Sequence, residues 1–267
     1  MAEPQGGIFD RDEVLAAAGD ATPLRSGIFA DMDLSGIRLA GRDLRDTLWQ
    51  SVNLTGADFS GADLTGAEFV DVRFARANLG RARLSDSTFL SADLSGANLD
   101  GASMEESTWI NSSLTSARLR GAQLKGTSMH HLRAAGADLT SATLDDVNAE
   151  EVDFGSALLR KARITGCRFG ECSFTGADLS DLEATRCDFD SCDLAGVPFG
   201  KSKLSSVDFA GSKLVGAKLE ACVFEGVSFS DADLSGSHLP AELRGCDLAR
   251  ARLTGTSVRA SSRSCRR

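Results

Sequence analysis

An apolar residue recurs at every fifth position of this 267-residue chain, from Leu24 to Leu239. The series has 44 members, of which 41 are Leu, Phe, Trp, Met or Ile and three are Ala. The residue two places before each member is nearly always small or apolar, as at Ala57, Ala62 and Ala67. A fixed internal period of this kind is the signature of a repeat architecture, in which each unit stacks on its neighbours.

A period of five fits neither an α-helix, which repeats about every 3.6 residues, nor the simple alternation of a flat strand. Two inward residues with one outward residue between them describe a short extended edge, and the remaining residues must turn a corner. Glycine after the inward residue, as at Gly56 and Gly61, suits a tight turn. The sequence therefore predicts a solenoid.

A second period gives the number of edges in each coil. Of the 15 aromatic residues in the series, nine occupy the same place in successive groups of four repeats. Four five-residue edges complete one coil, so the pattern predicts a square cross-section with rings stacked along one side. The nine residues are Phe29, Trp49, Phe69, Phe89, Trp109, Phe169, Phe189, Phe209 and Phe229.

The repeat sequences ADLTG at 62–66, ADLSG at 92–96, ANLDG at 97–101 and CDLAG at 192–196 resemble those of the pentapeptide-repeat family. The resemblance extends over residues 24–258 and implies an all-β fold, a right-handed quadrilateral β-helix. A rod of this kind would have about 12 coils and, at about 4.8 Å per coil, a length of about 55 Å.

These patterns divide the chain into three parts. Residues 1–23 form an N-terminal segment with a helical cap, residues 24–258 form the β-helix, and residues 259–267 form a basic, flexible tail. At Pro240 the apolar series slips by one position, so the last coil is predicted to be distorted. For the basic tail, contact with nucleic acid or an acidic surface is the alternative to a frayed end.

The N-terminal segment is predicted to cover the first coil, because an open solenoid end exposes apolar side chains and unpaired backbone groups. Asp10 and Glu13 have the spacing of a capping box, which predicts a helix over residues 10–19. Val14 and Leu15 are expected to pack against the first coil.

The aromatic series is interrupted between Met129 and Ala149, and Ala134 places a small side chain on an adjacent side of the same region. One interpretation is that Leu132 and neighbouring leucines fill the space. The other is a narrower or bent coil that forms a groove.

The composition is poor in residues that carry acid–base chemistry or bind metals, with no Tyr and 3 His. His130 and His131 are adjacent, without a third ligand or a base at a suitable spacing. The 7 cysteines form neither a CxxC zinc pattern nor a disulfide framework. We therefore expect no catalytic residues, no metal and no cofactor, and a protein that is not an enzyme.

Two cysteine pairs follow the coil period. Cys187 lies four repeats after Cys167, and Cys192 lies four repeats after Cys172, so each pair is predicted to stack on successive coils as buried, reduced thiols.

The chain begins without the basic and apolar regions of a signal peptide, and it has no apolar stretch of membrane-spanning length. We expect a cytoplasmic protein without membrane contact.

Charge is distributed unevenly around the predicted rod, whose formal net charge is −9. Assigning residues to sides by the coil period places 12 acidic and three basic residues on one side, up to residue 240. We call this side the acidic face. Its acidic residues are Asp31, Asp33, Asp71, Asp93, Glu150, Glu151, Asp153, Glu171, Asp190, Asp193, Asp231 and Asp233.

One interpretation of the acidic face is that it imitates one side of a DNA duplex and attracts a basic DNA-binding groove. The other is a solvated surface that keeps the rod soluble. Pentapeptide-repeat relatives of the Qnr and MfpA type bind DNA gyrase or topoisomerase IV and protect them from topoisomerase poisons. The resemblance therefore implies a protein partner of this class and no direct contact with nucleic acid.

Two differences from those relatives are visible in the sequence. The unbroken series leaves no inserted loops, and a homodimer would lack the C-terminal helix through which those relatives dimerise. An alternative function is a scaffold, adaptor or effector module that docks an unrelated protein.

Overall fold

The computed structural model describes residues 7–19 and 22–258. These residues form a solenoid of about 12 coils, preceded by one short helix, α1 (Arg11–Gly19). The strands in chain order are β1 (Ile28–Ala30), β2 (Leu48–Gln50), β3 (Glu68–Val70), β4 (Thr88–Leu90), β5 (Thr108–Ile110), β6 (Ser128–His130), β7 (Thr143–Asp145), β8 (Asn148–Glu150), β9 (Arg163–Thr165), β10 (Arg168–Gly170), β11 (Glu183–Thr185), β12 (Lys203–Ser205), β13 (Val223–Glu225), β14 (His238–Leu239) and β15 (Ser257–Val258).

All strand pairs are parallel, and the regular register joins each residue to its equivalent four repeats later. The first sheet contains eight strands in the order β1-β2-β3-β4-β5-β6-β8-β10, and Phe29 pairs with Trp49 at its start. The second sheet has the order β13-β12-β11-β9-β7, and β14 pairs with β15 alone. Bridges of the same spacing, such as Asp93 with Ser113, continue the other sides of the rod. The predicted β-helix is confirmed.

The segment from Asp93 to Ala97 shows why the five-residue repeat folds as it does. Leu94 is fully buried, and its carbonyl accepts a hydrogen bond from the Ala97 amide at 3.0 Å. Gly96, the third residue of this turn, has a φ of +67°. Left-handed backbone at that position is characteristic of a type II turn, and glycine adopts it without strain. The Asp93 carboxylate closes the turn by accepting the Ser95 amide at 3.0 Å.

Ring stacking fills one side of the core, as the coil period predicts. Phe89 and Trp109 stack at a centroid distance of 3.8 Å, and Phe169 and Phe189 stack at 4.8 Å. The buried Trp109 indole needs an acceptor. Its Nε1 donates to Ser107 Oγ at 2.9 Å, so a serine at the small inward position satisfies the tryptophan.

The N-terminal cap is present and begins as predicted. The Glu13 amide donates to Asp10 Oδ1 at 2.9 Å, and the Asp10 amide donates to Glu13 Oε2 at 2.8 Å, which completes the capping box. Val14 is fully buried, but the expectation for Leu15 is wrong, because this side chain is 40% exposed. On the helix, Ala17 occupies the second buried position one turn further along.

The chain before α1 adds a contact that the five-residue series did not include. Phe9 stacks on Phe29 at 5.4 Å, and Ile8 forms a parallel bridge with Ile28. Phe9 lies one coil period before Phe29, so the aromatic column starts before the first complete coil.

Towards the C-terminus, the slip at Pro240 makes the register one position shorter than in the other coils. His238 pairs with Ser257, and Leu239 pairs with Val258. Leu253 and Val258 are exposed, so the final coil is more open than the coils before it. The predicted tail, residues 259–267, lies outside the described residues.

The gap in the aromatic column is occupied by aliphatic side chains. Met129, Ala149 and Phe169 remain in register across β6, β8 and β10. Leu132 is 1% exposed at a position where several other coils carry alanine or valine. The interpretation in which neighbouring leucines fill the space is therefore supported, and the sheet continues without a break.

Candidate protein-binding surface

The acidic face follows one corner of the rod, next to the first sheet. Its members occupy three positions of each coil. These positions are counted from Phe29 and its equivalents in later coils, which we call the stacked residues. Glu150 and Asp190 come directly after a stacked residue, and the other ten come two or four places after one. These positions have different structural roles.

Five members close turns through their carboxylates. The Ser35 amide donates to Asp33 Oδ1 at 2.9 Å, and this hydrogen bond holds the pKa of Asp33 below its ordinary value. A carboxylate that accepts a backbone amide in this way forms an Asx turn. The other four bonds join Asp93 to Ser95, Asp153 to Gly155, Asp193 to Ala195 and Asp233 to Ser235.

Five further members occupy the left-handed corner position and are exposed. Their φ values lie between 50° at Glu171 and 59° at Asp231. Left-handed backbone is disfavoured for residues with a Cβ, but Asp and Asn tolerate it better than most. The remaining members of this group are Asp31, Asp71 and Glu151.

Several members are paired with cations. Arg250 donates two hydrogen bonds of 2.6 Å to Asp231, and these bonds lower the pKa of Asp231. Exposed ion pairs of this type are worth about 0 to 1 kcal/mol. The other ion pairs are Asp233 with Arg252 at 3.9 Å and Asp193 with Lys213 at 3.8 Å, and His131 Nδ1 lies 3.3 Å from the Glu151 carboxylate.

Acidic residues are most concentrated on three successive coils, which we call the central acidic patch. Gly170 leaves room here for the Glu150 carboxylate, because a Cβ at that glycine would collide with its oxygens. Three coils span about 14 Å, over which duplex DNA carries about eight charges. The patch consists of Glu150, Glu151, Asp153, Glu171, Asp190 and Asp193.

Outside the central acidic patch, cations interrupt the acidic face. Along the bridge ladder from Asp33 to Arg252, the cations Arg73, Arg133 and Lys213 alternate with carboxylates and polar residues. Dense negative charge is therefore local rather than continuous along the rod.

The sequence interpretation missed an apolar strip on the outer surface of the first sheet. Ile8 is 80% exposed and Leu90 is 36% exposed. The signal was present, since apolar residues stand directly beside the stacked residue in several repeats. The outer strip consists of two rows, one before the stacked residues and one after them: Ile8, Ile28 and Leu48, and Val70, Leu90 and Ile110.

The described residues contain no group of His, Cys, Asp and Glu side chains arranged to hold a metal.

A depression of about 350 Å³ lies on the outer surface of the second sheet. Within it, Lys203 Nζ donates to Glu183 Oε1 at 3.0 Å, and this bond lowers the pKa of Glu183. Both charged groups are thus occupied by an ion pair. No helix in the described part of the chain could cross a membrane.

The cysteines of the two predicted pairs are buried free thiols. Cys167 Sγ donates to the Leu144 carbonyl at 3.1 Å, and Cys192 Sγ donates to the Phe169 carbonyl at 3.2 Å. Contact with Cys172 and burial raise the pKa of the Cys192 thiol. These thiols act as small core residues.

Sequence comparison finds one matching family, described as pentapeptide repeats and present in 8 copies. No curated protein matches the chain at a significant level. The matched residues are 33–69, 67–105, 92–130, 117–155, 157–196 and 202–239.

Solved structures with a similar fold include HetL from the cyanobacterium Nostoc sp. strain PCC 7120, a pentapeptide repeat protein involved in heterocyst differentiation regulation. It is 25% identical, with 93% of this chain and 94% of HetL covered and a TM-score of 0.36. Full-length QnrB1, a plasmid-mediated fluoroquinolone resistance protein, is 18% identical, with 87% and 94% covered and a TM-score of 0.23.

A pentapeptide repeat protein from the Arabidopsis thaliana thylakoid lumen is 30% identical, with 42% of this chain and 67% of that chain covered and a TM-score of 0.22. The repeated match along the sequence is the result that bears on family.

Proposed function

The chain belongs to the pentapeptide-repeat family, and on this premise we propose that it is a non-enzymatic rod that binds a type II topoisomerase as a partial DNA mimic. The partner is DNA gyrase or topoisomerase IV, and binding modulates the enzyme or protects it from topoisomerase poisons. The proposal places the protein in the cytoplasm, where such a partner handles DNA, and requires neither a cofactor nor direct contact with nucleic acid.

The central acidic patch is the observation that carries this proposal. Six carboxylates on three coils approach the charge density of a duplex over the same length of about 14 Å. Four of the six, Glu150, Asp153, Glu171 and Asp190, have no ion-pair partner within the described residues. Their negative charge is therefore available to a basic DNA-binding groove.

Rigidity supports the same function. Backbone hydrogen bonds join each coil to the next, for example from the Glu171 amide to the Asp190 carbonyl at 3.1 Å. Carboxylates held on such a frame are ordered before binding, so less conformational entropy is lost when the partner docks. Salt should weaken the association, because screening reduces attraction between exposed charges.

The test is a gyrase supercoiling assay with the purified full-length protein, with and without a quinolone, at two salt concentrations. We expect inhibition or drug protection that fades as salt increases. The variant Glu150→Lys/Glu151→Lys/Glu171→Lys should be at least tenfold weaker, because it reverses charge without removing a turn-closing carboxylate.

A matched control reverses three acidic residues on another side of the rod, Glu105→Lys/Glu106→Lys/Glu225→Lys. This variant has the same net charge as the first, so it separates local recognition from overall electrostatics. An equal loss of the effect on gyrase in both variants would indicate that the acidic face is a solvated surface. No effect of wild-type protein at micromolar concentration would favour the scaffold alternative.

A further inference from the structure

The outer surface of β1 to β6 carries much less charge than the outer surface of the second sheet. Across the outward positions of β1 to β6, Glu68 is the one acidic residue, and none of these positions holds Lys or Arg. On the second sheet, by contrast, Arg163, Glu183 and Lys203 form a ladder of alternating charge on neighbouring strands. In the row of Ile8, Ile28 and Leu48 the next residue is Glu68, whereas Val70, Leu90 and Ile110 follow one another without a charged residue between them.

Geometry makes the outer surface of β1 to β6 a suitable contact surface. The strands are in register from Phe29 to Met129, so their outward side chains form level rows. Val70, Leu90 and Ile110 are neighbours in one row, and His130 and Glu150 continue that row towards the central acidic patch. Contiguous exposed apolar residues beside polar ones are characteristic of interaction sites.

The area and the charge of the surface decide what kind of partner it fits. Six strands about 4.8 Å apart and about 10 Å long present about 300 Å². A stable interface buries about 800 Å² on each partner, so the outer surface of β1 to β6 is too small to hold a second copy by itself. Two copies, each with a formal charge of −9, would also repel one another.

We infer that the outer strip and the central acidic patch form one bipartite docking surface for a protein that carries an apolar surface beside a basic groove. This inference rests on the proposed function, in which the basic groove is that of a topoisomerase. The acidic patch enters the groove, and the outer strip packs against the apolar surface next to it. Apolar contact then adds affinity that salt does not remove.

The experiment measures binding of the full-length protein to immobilised, purified DNA gyrase at two salt concentrations. Leu90→Gln/Ile110→Gln removes apolar surface without adding charge, and Gln50 already occupies the same row. We expect this variant to bind at least tenfold more weakly than wild type at both salt concentrations, with an unchanged dependence on salt.

The matched control is Val215→Gln/Val223→Gln, which changes two apolar residues on other sides that are 43% and 63% exposed. It should bind as wild type does. Thermal unfolding verifies that both variants fold. Leu90→Thr/Ile110→Thr provides a second folded variant, because Thr88 and Thr108 already occupy outward positions of the same strands.

Three results would overturn the inference. If Leu90→Gln/Ile110→Gln binds normally while Glu150→Lys/Glu151→Lys/Glu171→Lys binds weakly, the outer strip plays no part and the proposed function stands. If wild-type protein fails to bind gyrase, both fail together. If sedimentation shows a wild-type dimer that Leu90→Gln/Ile110→Gln dissociates, the strip is a contact between two copies of the chain.

Discussion

The Asp153 carboxylate accepts a hydrogen bond from the backbone amide of Gly155, with 2.8 Å between nitrogen and oxygen. The same relationship joins Asn98 to the amide of Asp100, where the accepting side chain is uncharged. Residues at this repeat position therefore stabilise turns whether or not they carry charge. An acidic residue found there both closes a turn and carries a negative charge, and substitutions can separate these two roles.

Replacing Asp93 separates its role in the turn from its charge. Asp93→Ala removes the acceptor of the Ser95 amide and should lower the free energy of unfolding by about 1 kcal/mol. Asp93→Asn keeps an acceptor, as Asn78 and Asn98 do, and should lose less than half of that amount. Urea unfolding followed by circular dichroism measures both, with Glu150→Ala as the control for loss of charge alone. Equal destabilisation by Ala and Asn would contradict the turn-closing role.

The same hydrogen bonds predict a loss of stability in acid. Bonds from the side chain and backbone of Ser60 lower the pKa of Asp58, and bonds from Ser235 likewise lower the pKa of Asp233. A carboxyl whose pKa is depressed in the folded state contributes stability above its unfolded pKa, about 3.9, and loses it as pH falls towards the folded value.

The unfolding temperature should therefore be nearly constant from about pH 7 to about pH 5 and should decrease below about pH 4. The variant Asp33→Asn/Asp58→Asn/Asp233→Asn replaces three titrating acceptors with neutral ones, so its unfolding temperature should fall less between these pH values. An identical fall in variant and wild type would assign the acid sensitivity to other groups.

Much of the fold follows from the sequence because one physical requirement repeats. Each coil must bury two residues per edge and turn four corners, so the spacing of Phe69 and Phe89 predicts both the stacked rings and the parallel register. Exceptions arise at the ends. The exposure of Leu15 is set by how the cap meets the first coil, and a repeat period contains no information about that contact, whereas the spacing of Phe9 and Phe29 equals one coil period.

The candidate surface was less predictable than the fold. Counting charges by side identifies the twelve acidic residues, but it cannot reveal that the Asp93 carboxylate accepts a hydrogen bond in a turn while the Glu171 side chain has no partner among the described residues. That difference depends on hydrogen-bond geometry within one repeat. The outer strip was missed because charge was the only outward property considered, and Leu90 and Ile110 are uncharged.

The hydrogen bond between Trp109 and Ser107 provides a test of core packing. Ser107→Ala should lower the free energy of unfolding by about 1 to 3 kcal/mol, because it leaves the buried indole Nε1 without an acceptor. Ser87→Ala is the matched control, since Ser87 stands at the same position beside Phe89, whose ring has no donor. Chemical unfolding of both variants gives the comparison. A Ser107→Ala effect no larger than that of Ser87→Ala would show that the indole finds another partner.

The cysteines should differ in reactivity according to burial. Burial raises the pKa of the Cys222 thiol to about 12, so almost none of it is the reactive thiolate at neutral pH. Iodoacetamide added to native protein should leave Cys167, Cys192 and Cys222 unmodified and should alkylate Cys246, which is partly exposed in the open final coil. Peptide mass spectrometry locates the modified residues, and protein unfolded in urea is the control in which all react. Rapid alkylation of Cys192 in folded protein would mean that the coils separate locally, because the thiol has no other route to the reagent.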